Sequence, residues 1–292
     1  MKRRSILLGV GCVAGVAIPF AAVVYYRGWR QLSGGIETVR YTEARPGYTG
    51  SSQCRSCHQA FYRKWSTSHH GLAMQVYTAE LGKAHLTAQP RPMRIGVYNY
   101  QADIEGGGWV IESGPGHKRR FRIDHVIGGK NVYYLLTPYE RGRLQVLPIA
   151  YDVRKKEWFD TTASGVRMHP AFSREPLDWT DRRYTFNTSC YSCHVSQLAT
   201  NYDLGSDTYR TRWTEPGINC EVCHAPGQAH LALFQQATGK IRPADLKIIR
   251  TTSFTPEQIN ATCAPCHAKM MPLSADFRPG DRYFDHYDLA TL

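Results

Sequence analysis

Four copies of one short motif constrain this chain more than any other feature of its sequence. Each copy has two cysteines separated by two residues and followed directly by a histidine, and the copies begin at Cys54, Cys190, Cys220 and Cys263. The chain has nine cysteines, and eight of them fall in these four pentads. The polypeptide is therefore expected to fold around whatever the pentads bind.

The Cys-x-x-Cys-His pentad is typical of covalent attachment of a c-type haem. Its two cysteines can form thioethers with the two vinyl groups of one porphyrin, and its histidine is then the proximal iron ligand. Pairs of Cys-x-x-Cys motifs also form four-thiolate zinc sites, but these do not need histidine as the fifth residue. Disulfides are a weaker alternative, because so short a loop is typical of redox motifs rather than of structural bridges. Since histidine follows all four cysteine pairs, the sequence predicts four haem c groups.

Each pentad supplies three predicted haem-binding residues, and its histidine is the predicted proximal iron ligand. They are Cys54, Cys57 and His58; Cys190, Cys193 and His194; Cys220, Cys223 and His224; and Cys263, Cys266 and His267. Twelve histidines are present, so eight remain beyond the pentads. They are His69, His70, His85, His117, His125, His169, His230 and His286. So many spare histidines favour bis-histidine coordination, but composition does not show which four are used.

The net charge bears on the choice of partner. The formal charge of +12 by itself suggests nucleic acid or a membrane surface. Four haems would add roughly −8 through their propionates. The basic residues are also scattered, apart from the short run at residues 118–120. We therefore expect the haem propionates to neutralise most of this positive charge, and we predict no nucleic-acid partner.

The N-terminal segment predicts membrane attachment. A basic start at residues 1–4 precedes an uncharged run from Ile6 to Tyr26, which is long enough to span a bilayer. The basic residues favour a cytoplasmic N-terminus, and no small-x-small cleavage site follows the run. We predict an uncleaved signal anchor over residues 1–30, with the remaining chain on the periplasmic, extracytoplasmic side. The alternative is a cleaved signal and an exported, soluble protein.

Composition divides the rest of the chain into four segments. We predict a polar linker at residues 31–47, a first haem unit at 48–94, a β-rich segment at 95–187 and a three-haem unit at 188–292. In the β-rich segment, β-branched and aromatic runs alternate with glycine-rich turns. The predicted strands are Val97–Ile104, Trp109–Glu112, Phe121–Ile127, Val132–Thr137 and Leu144–Asp152.

The predicted fold class is α+β. A mainly helical or irregular chain would wrap around four haems, with a small antiparallel meander inserted between the first and second haem sites. Helical spacing of Phe61, Tyr62 and Trp65 predicts a helix after the first pentad. Thr255 followed by Pro256 predicts the start of a helix that carries the last pentad. The chain ends without a polar tail, so we expect the natural chain to be longer.

Two segments resemble the multihaem cytochromes of the cytochrome c-554-like family. One is Tyr62-x-x-Trp65-x-x-Ser68-x-His70-x-x-Ala73-Met74, and the other runs from Cys220 to His230, with Ala225 in place of the usual glycine. Residues 125–134 and 143–152 are similar to the branch whose longer members continue into tetratricopeptide repeats. The resemblance covers residues 48–290 and implies electron transfer through closely packed haems outside the cytoplasm.

The same resemblance implies which histidines are distal ligands. It favours His70 and His230, followed by His125 and His169, with His286 in reserve. Met74 is a conceivable axial ligand, but a gap-filling role is favoured for it. The choice among the remaining histidines stays open.

Three functions are compatible with these features. The first is electron transport, because iron with two protein ligands has no open position for substrate. The second is a multihaem oxidoreductase in which one five-coordinate haem acts on a small nitrogen or sulfur compound. The third is a redox or gas sensor, for which no output domain is visible. We favour the first, with redox proteins or a membrane quinol-oxidising complex as partners.

The cofactor count is directly testable. We expect the intact mass to exceed that of the polypeptide by four haem c groups that survive denaturation and acid–organic extraction, since thioethers are covalent. Cys193→Ser or Cys223→Ser should lower covalent haem content. A smaller mass increment, or zinc in place of haem, would contradict the assignment of the pentad concerned.

Overall fold

Two antiparallel β-sheets form the framework between the first and second pentads. The structure, a computed structural model, describes residues 46–164, 177–236, 244–268, 270–274 and 276–290. The predicted signal anchor and His169 lie outside these residues, so both stay predictions. Within the described part of the chain, no helix is long and apolar enough to cross a membrane.

The strands are short and lie mostly in the first half of the described chain. In order they are β1 Met74–Val76, β2 Met93–Ile95, β3 Tyr98–Asp103, β4 Trp109–Gly114, β5 His117–Arg122, β6 His125–Ile127, β7 Val132–Pro138, β8 Leu144–Asp152, β9 Glu157–Asp160, β10 Val195–Ser196, β11 Tyr202–Asp203, β12 Thr208–Tyr209, β13 Glu215–Pro216, β14 Met270–Pro272 and β15 Tyr287–Leu289.

The helices are also short, and several contain or flank a pentad. They are α1 Ser51–Cys54, α2 Gln59–Ser66, α3 Ala79–His85, α4 Thr161–Ser164, α5 Phe186–Ser189, α6 Tyr191–His194, α7 Cys220–His224, α8 Gln228–Gln236 and α9 Pro256–His267. α2 confirms the helix predicted after the first pentad. α9 confirms the predicted start at Thr255, whose side chain forms a capping box with Gln258.

The larger sheet has five strands in the order β1-β6-β7-β8-β9, and the second has four in the order β2-β3-β4-β5. All neighbouring strands are antiparallel. Three two-stranded ribbons, β10–β13, β11–β12 and β14–β15, lie among the later pentads. The mixed α and β composition with antiparallel sheets agrees with the predicted class.

Part of the strand prediction was wrong. Phe121–Ile127 was predicted as one strand of one meander, but β5 and β6 belong to different sheets. Between them the chain changes partners, because Ile123 N donates to Gly108 O beside the four-stranded sheet and Asp124 N donates to Leu136 O in the five-stranded sheet. Hydrophobic character continues through this crossing, so pattern alone does not reveal it.

The five-stranded sheet is buried on both faces. One face packs on the four-stranded sheet through a core that includes Leu135, Leu147 and Ile149, all fully buried. The opposite face packs on the segment around the second pentad, through Leu136 and Val146 among others. Adjacent residues of one strand therefore serve different cores, as expected from the alternation of side chains along a strand.

Pro148 accompanies an irregularity in the centre of this sheet. Tyr134 of β7 pairs with Ala150 of β8, whereas Leu136 pairs with Val146, so one residue of β7 between these pairs opposes three of β8. Proline has no backbone N–H to donate, and it is tolerated in a sheet mainly at such bulges. The longest buried strand thereby accommodates proline without breaking.

A buried polar network links β8 to the second pentad. Gln145 is fully buried, and its Nε2 donates to Trp179 O at 2.6 Å and to Asp181 O at 2.9 Å. Its Oε1 accepts from the hydroxyl of Thr185 at 2.7 Å. Thr185 directly precedes α5, so this one amide positions the chain that enters the second pentad.

Gln145→Leu tests the importance of this network. The substitution leaves two carbonyls and a hydroxyl buried without their partner, and each such group costs about 1–3 kcal/mol. We expect the free energy of unfolding to fall by at least about 1 kcal/mol. Denaturant titration of the haem-loaded protein would measure it. Asn99→Leu, at an exposed position of β3, is the control and should change it by less than about 0.5 kcal/mol. Equal stability of the two variants would contradict this role.

Candidate haem-binding site

Each pentad lies on or beside a short helix. The first runs from the last residue of α1 to the residue before α2, the second begins one residue before α6 and ends with it, the third is α7, and the fourth is the end of α9. Residues three and four apart share one face of a helix, so a helical pentad turns its cysteines and histidine to the same side. This local geometry suits one flat cofactor per pentad.

The pentad thiols approach one another in pairs from different pentads. Hydrogen bonding to the Cys220 thiol, followed by burial, raises the pKa of Cys54, and Cys220 N donates to Ser51 Oγ at 3.2 Å. Cys193 Sγ lies 3.9 Å from Cys266 O, and Cys266 Sγ lies 3.7 Å from Ser192 O. The first pentad therefore adjoins the third, and the second adjoins the fourth.

The third and fourth pentads also lie near each other. Burial, followed by the neighbouring thiols of Cys263 and Cys220, raises the pKa of Cys223. The third pentad thus lies near the fourth as well as the first. All eight pentad thiols are free of disulfide bonds. Within the described ranges, no three Cys, His, Asp or Glu side chains are grouped so that they could hold a metal ion by themselves.

Three histidines have a hydrogen bond that leaves the other ring nitrogen available to a metal. The Nδ1 atoms of His194, His224 and His230 lie 2.7, 2.9 and 2.8 Å from backbone carbonyl oxygens of Ala73, Ile249 and Leu246 respectively. A carbonyl can only accept, so Nδ1 carries the proton and the lone pair is on Nε2. This is the usual orientation of a metal-binding histidine.

Two pairs of imidazoles face each other across gaps that suit an iron. His58 and His230 have ring centres 6.4 Å apart with their planes at 27°, and His70 and His267 have centres 6.1 Å apart at 70°. A metal–imidazole bond is about 2 Å, so two rings on opposite sides of one metal have centres roughly 6 Å apart. The chain's own residues therefore fit a haem at each of these two places.

Contacts before the third pentad hold His70 in place. Ile218 N donates to His70 O at 2.9 Å, and Trp65 Nε1 donates to Ile218 O at 2.8 Å. Gly217 has φ +77°, and a Cβ there would lie 2.8 Å from Gly71 O. Only glycine combines this conformation with so close an approach.

Ala225 occupies a backbone conformation that suits glycine better. Its φ is 61°, in the region that residues with a Cβ rarely adopt. Glycine would adopt this conformation without strain. The residue ends α7, and the chain then turns at Gly227 into α8, which carries His230.

The other predicted distal ligands have different surroundings. His125 is buried in β6 with its ring 5.7 Å from that of Trp213, and burial, then Arg122, lowers the pKa of His125 to about 4. A neutral imidazole of this kind is competent to bind a metal. His286 Nδ1 lies 2.8 Å from Ser274 Oγ, and its Nε2 lies 3.5 Å from Asp281 Oδ2. Both nitrogens of His286 thus already have protein partners.

His117, His85 and Met74 contact other side chains of the protein. His117 Nε2 lies 3.1 Å from Glu112 Oε1, and the ring of His85 lies 6.1 Å from that of Tyr133. Met74 is buried in β1 beside Ile127 and Leu136. This burial agrees with the gap-filling role predicted for it.

The sequence motifs did not reveal the backbone carbonyls that orient the histidines. Ala73, Ile249 and Leu246 carry no recognisable signal, because any residue can supply a carbonyl oxygen. Glu221 was also missed, although it lies inside the third pentad.

A family described as cytochrome c554 and c-prime matches residues 53–94 and 155–225. The matched segments contain the first three pentads and the motif that includes His70. The resemblance predicted from the sequence is thereby confirmed, whereas the narrower likeness to the branch with tetratricopeptide repeats stays a prediction.

Two solved structures are similar to this chain. The crystal structure of the outer cell wall cytochrome OcwA is 17% identical with a TM-score of 0.48, and the match covers 84% of this chain and 45% of that one. The undecahaem cytochrome from the S-layer of Carboxydothermus ferrireducens is 17% identical with a TM-score of 0.44, and covers 88% of this chain and 32% of that one. This chain thus spans less than half the length of either. The comparison with curated proteins gives no match.

Removal of His230 or His70 tests the facing imidazoles. In His230→Ala and in His70→Ala, one haem loses its second axial ligand, so we expect one haem to become high-spin and to bind carbon monoxide. Electron paramagnetic resonance and difference absorption spectra would measure both effects. His69→Ala, at an exposed neighbouring position, is the matched control and should leave all haems unchanged. If His230→Ala leaves every haem low-spin, the pairing with His58 is wrong.

Proposed function

We propose that this chain, which shares the motifs of the cytochrome c554 and c-prime family, transfers electrons outside the cytoplasm through four covalently bound haem c groups. The two imidazole pairs, His58 with His230 and His70 with His267, are the observation that carries the proposal. Each haem, when bound, supplies a one-electron iron couple. The chain's residues attach the cofactors, ligate both sides of the iron and exclude substrate from it.

The axial ligands follow from these pairs. With haem bound, His230 would be the distal partner of His58, and His70 the distal partner of His267. His125 and His169 are the candidates for the sites of His194 and His224. The engagement of both nitrogens of His286 makes it a poorer candidate. The four sites are thus mostly bis-histidine.

The contacts between thiols support close spacing and an order. The first pentad adjoins the third, the third lies near the fourth, and the fourth adjoins the second. Cofactors attached to neighbouring thiols would themselves be close neighbours, which favours direct electron transfer between them. The order along the chain of haems would therefore be first, third, fourth and second, which differs from the order in sequence.

The location and partners follow from the N-terminal sequence. The uncharged run at residues 6–26, with basic residues before it, supports a membrane anchor that leaves the haem sites on the extracytoplasmic side. Its redox partners would then be extracytoplasmic proteins or a membrane quinol-oxidising complex. Propionates would offset most of the formal charge of +12.

Wild-type spectra test the proposed function. Two imidazole ligands make a haem six-coordinate and low-spin and lower its potential relative to His/Met ligation, because the axial ligand is a main control on potential. We expect low-spin spectra in both redox states, mostly negative potentials and little binding of carbon monoxide or nitrite. A high-spin haem that binds these ligands in the wild type would instead support the oxidoreductase with a five-coordinate haem.

A further inference from the structure

A buried carboxylate lies inside the third pentad. Glu221 is the residue that directly follows Cys220, and only 2% of its surface is exposed. The pentad requires only its cysteines and histidine, so neither haem attachment nor iron ligation needs an acidic residue here. A charge is costly to bury unless hydrogen bonds compensate it. Its partners therefore indicate what it does.

The carboxylate binds the chain that leads to the first pentad. Oε1 accepts from Thr49 N at 3.0 Å and from Gly227 N at 2.8 Å, and Oε2 accepts from Gly50 N at 2.8 Å. Thr49 and Gly50 directly precede α1, which ends at Cys54. Glu221 thus joins two pentads that are far apart in sequence, and it fixes the turn at Gly227 as well.

A second carboxylate has a similar role nearby. Glu215 Oε2 accepts from Ser51 N at 3.0 Å, and Ser51 Oγ in turn accepts from Cys220 N at 3.2 Å. Two acidic side chains therefore hold consecutive backbone amides of the segment that carries the first pentad.

The partners of Glu221 are neutral, which distinguishes it from the other buried acid. Glu112 is fully buried in β4, where it forms an ion pair with Arg119 at 2.5 Å. Glu221 makes no ion pair with a Lys, Arg or His side chain of the described ranges. Backbone amides hold a carboxylate in place but do not cancel its charge. The net negative charge therefore acts on its surroundings.

We propose that Glu221 lowers the reduction potentials of the haems held by the first and third pentads relative to those held by the second and fourth. This inference rests on the proposed function, because it requires haems at these pentads. Oxidised haem carries one more positive charge than reduced haem, so a nearby negative charge stabilises the oxidised form. The effect is strong where water is excluded, and net charge and burial are recognised controls on haem potential. The carboxylate thereby biases electrons from the first and third sites towards the fourth and second.

Glu221→Gln separates this electrostatic role from a structural one. The amide has nearly the shape of the carboxylate but no charge. We expect the reduction equilibrium constant of one or two of the four haems to rise about tenfold, which is 59 mV for a one-electron couple. Potentiometric titration followed by optical and paramagnetic resonance spectra would measure the four couples. The other haems should keep their potentials.

Three further variants control for stability and folding. Glu112→Gln removes an equally buried carboxylate far from the pentads in sequence, so it should lower the melting temperature without shifting any potential. Glu221→Asp keeps the charge, so it should lower stability but leave the potentials nearly unchanged. If Glu221→Gln does not accumulate, Glu215→Gln is the substitute, and we expect a smaller shift in the same direction.

The outcomes distinguish this inference from the proposed function. Unchanged potentials in a Glu221→Gln protein that carries four low-spin haems would overturn the role of Glu221 and leave electron transfer intact. An equal shift in Glu112→Gln would also overturn it. Absence of haem, or high-spin haem, in the wild type would instead contradict the proposed function itself.

Discussion

Pairing of imidazoles from distant segments is the constraint on which the arrangement of the pentads depends. His58 faces His230 and His70 faces His267, so each pair joins chain segments that have no local reason to meet. For the haem ligation we propose, the intervening structure would have to place every ring to within a few tenths of an ångström, because metal–ligand bonds tolerate little variation. Backbone carbonyls that fix Nδ1, and the close approach at Gly217, serve this requirement.

The two sheets support the second pentad. The five-stranded sheet is buried on both faces, and Gln145 and the core around Leu136 attach the second pentad to it. His125 lies on β6 of the same sheet, and Ala73, which accepts from His194, directly precedes β1. The β-rich segment has no pentad, yet it supplies the surface against which a pentad is positioned.

Local features could be predicted from the sequence, whereas contacts between distant residues could not. The pentads, the helix start at Thr255, the helix after His58 and strands β3, β4, β7 and β8 follow from chemistry or periodicity that a few neighbouring residues express. The division into two sheets at Ile123 and Asp124 was missed, because a hydrophobic run does not show where a strand changes partners. Likewise, Ala73, Ile249 and Leu246 act through backbone carbonyl oxygens, which any residue has. The hydrogen bond from Thr49 N to Glu221 joins residues that lie 172 positions apart in sequence. His70 and His230 were favoured only through the family resemblance.

His70 and His267 face each other although they lie far apart in sequence, and this has a consequence for the maturation of the protein. About 200 residues separate the two rings in sequence, and contacts between such distant positions form late in folding. If the chain is exported as proposed, the first pentad leaves the translocation machinery long before the last one. Haem attachment at the first pentad would then precede any tertiary structure, whereas the site of His267 would be completed only after residue 267 has been delivered.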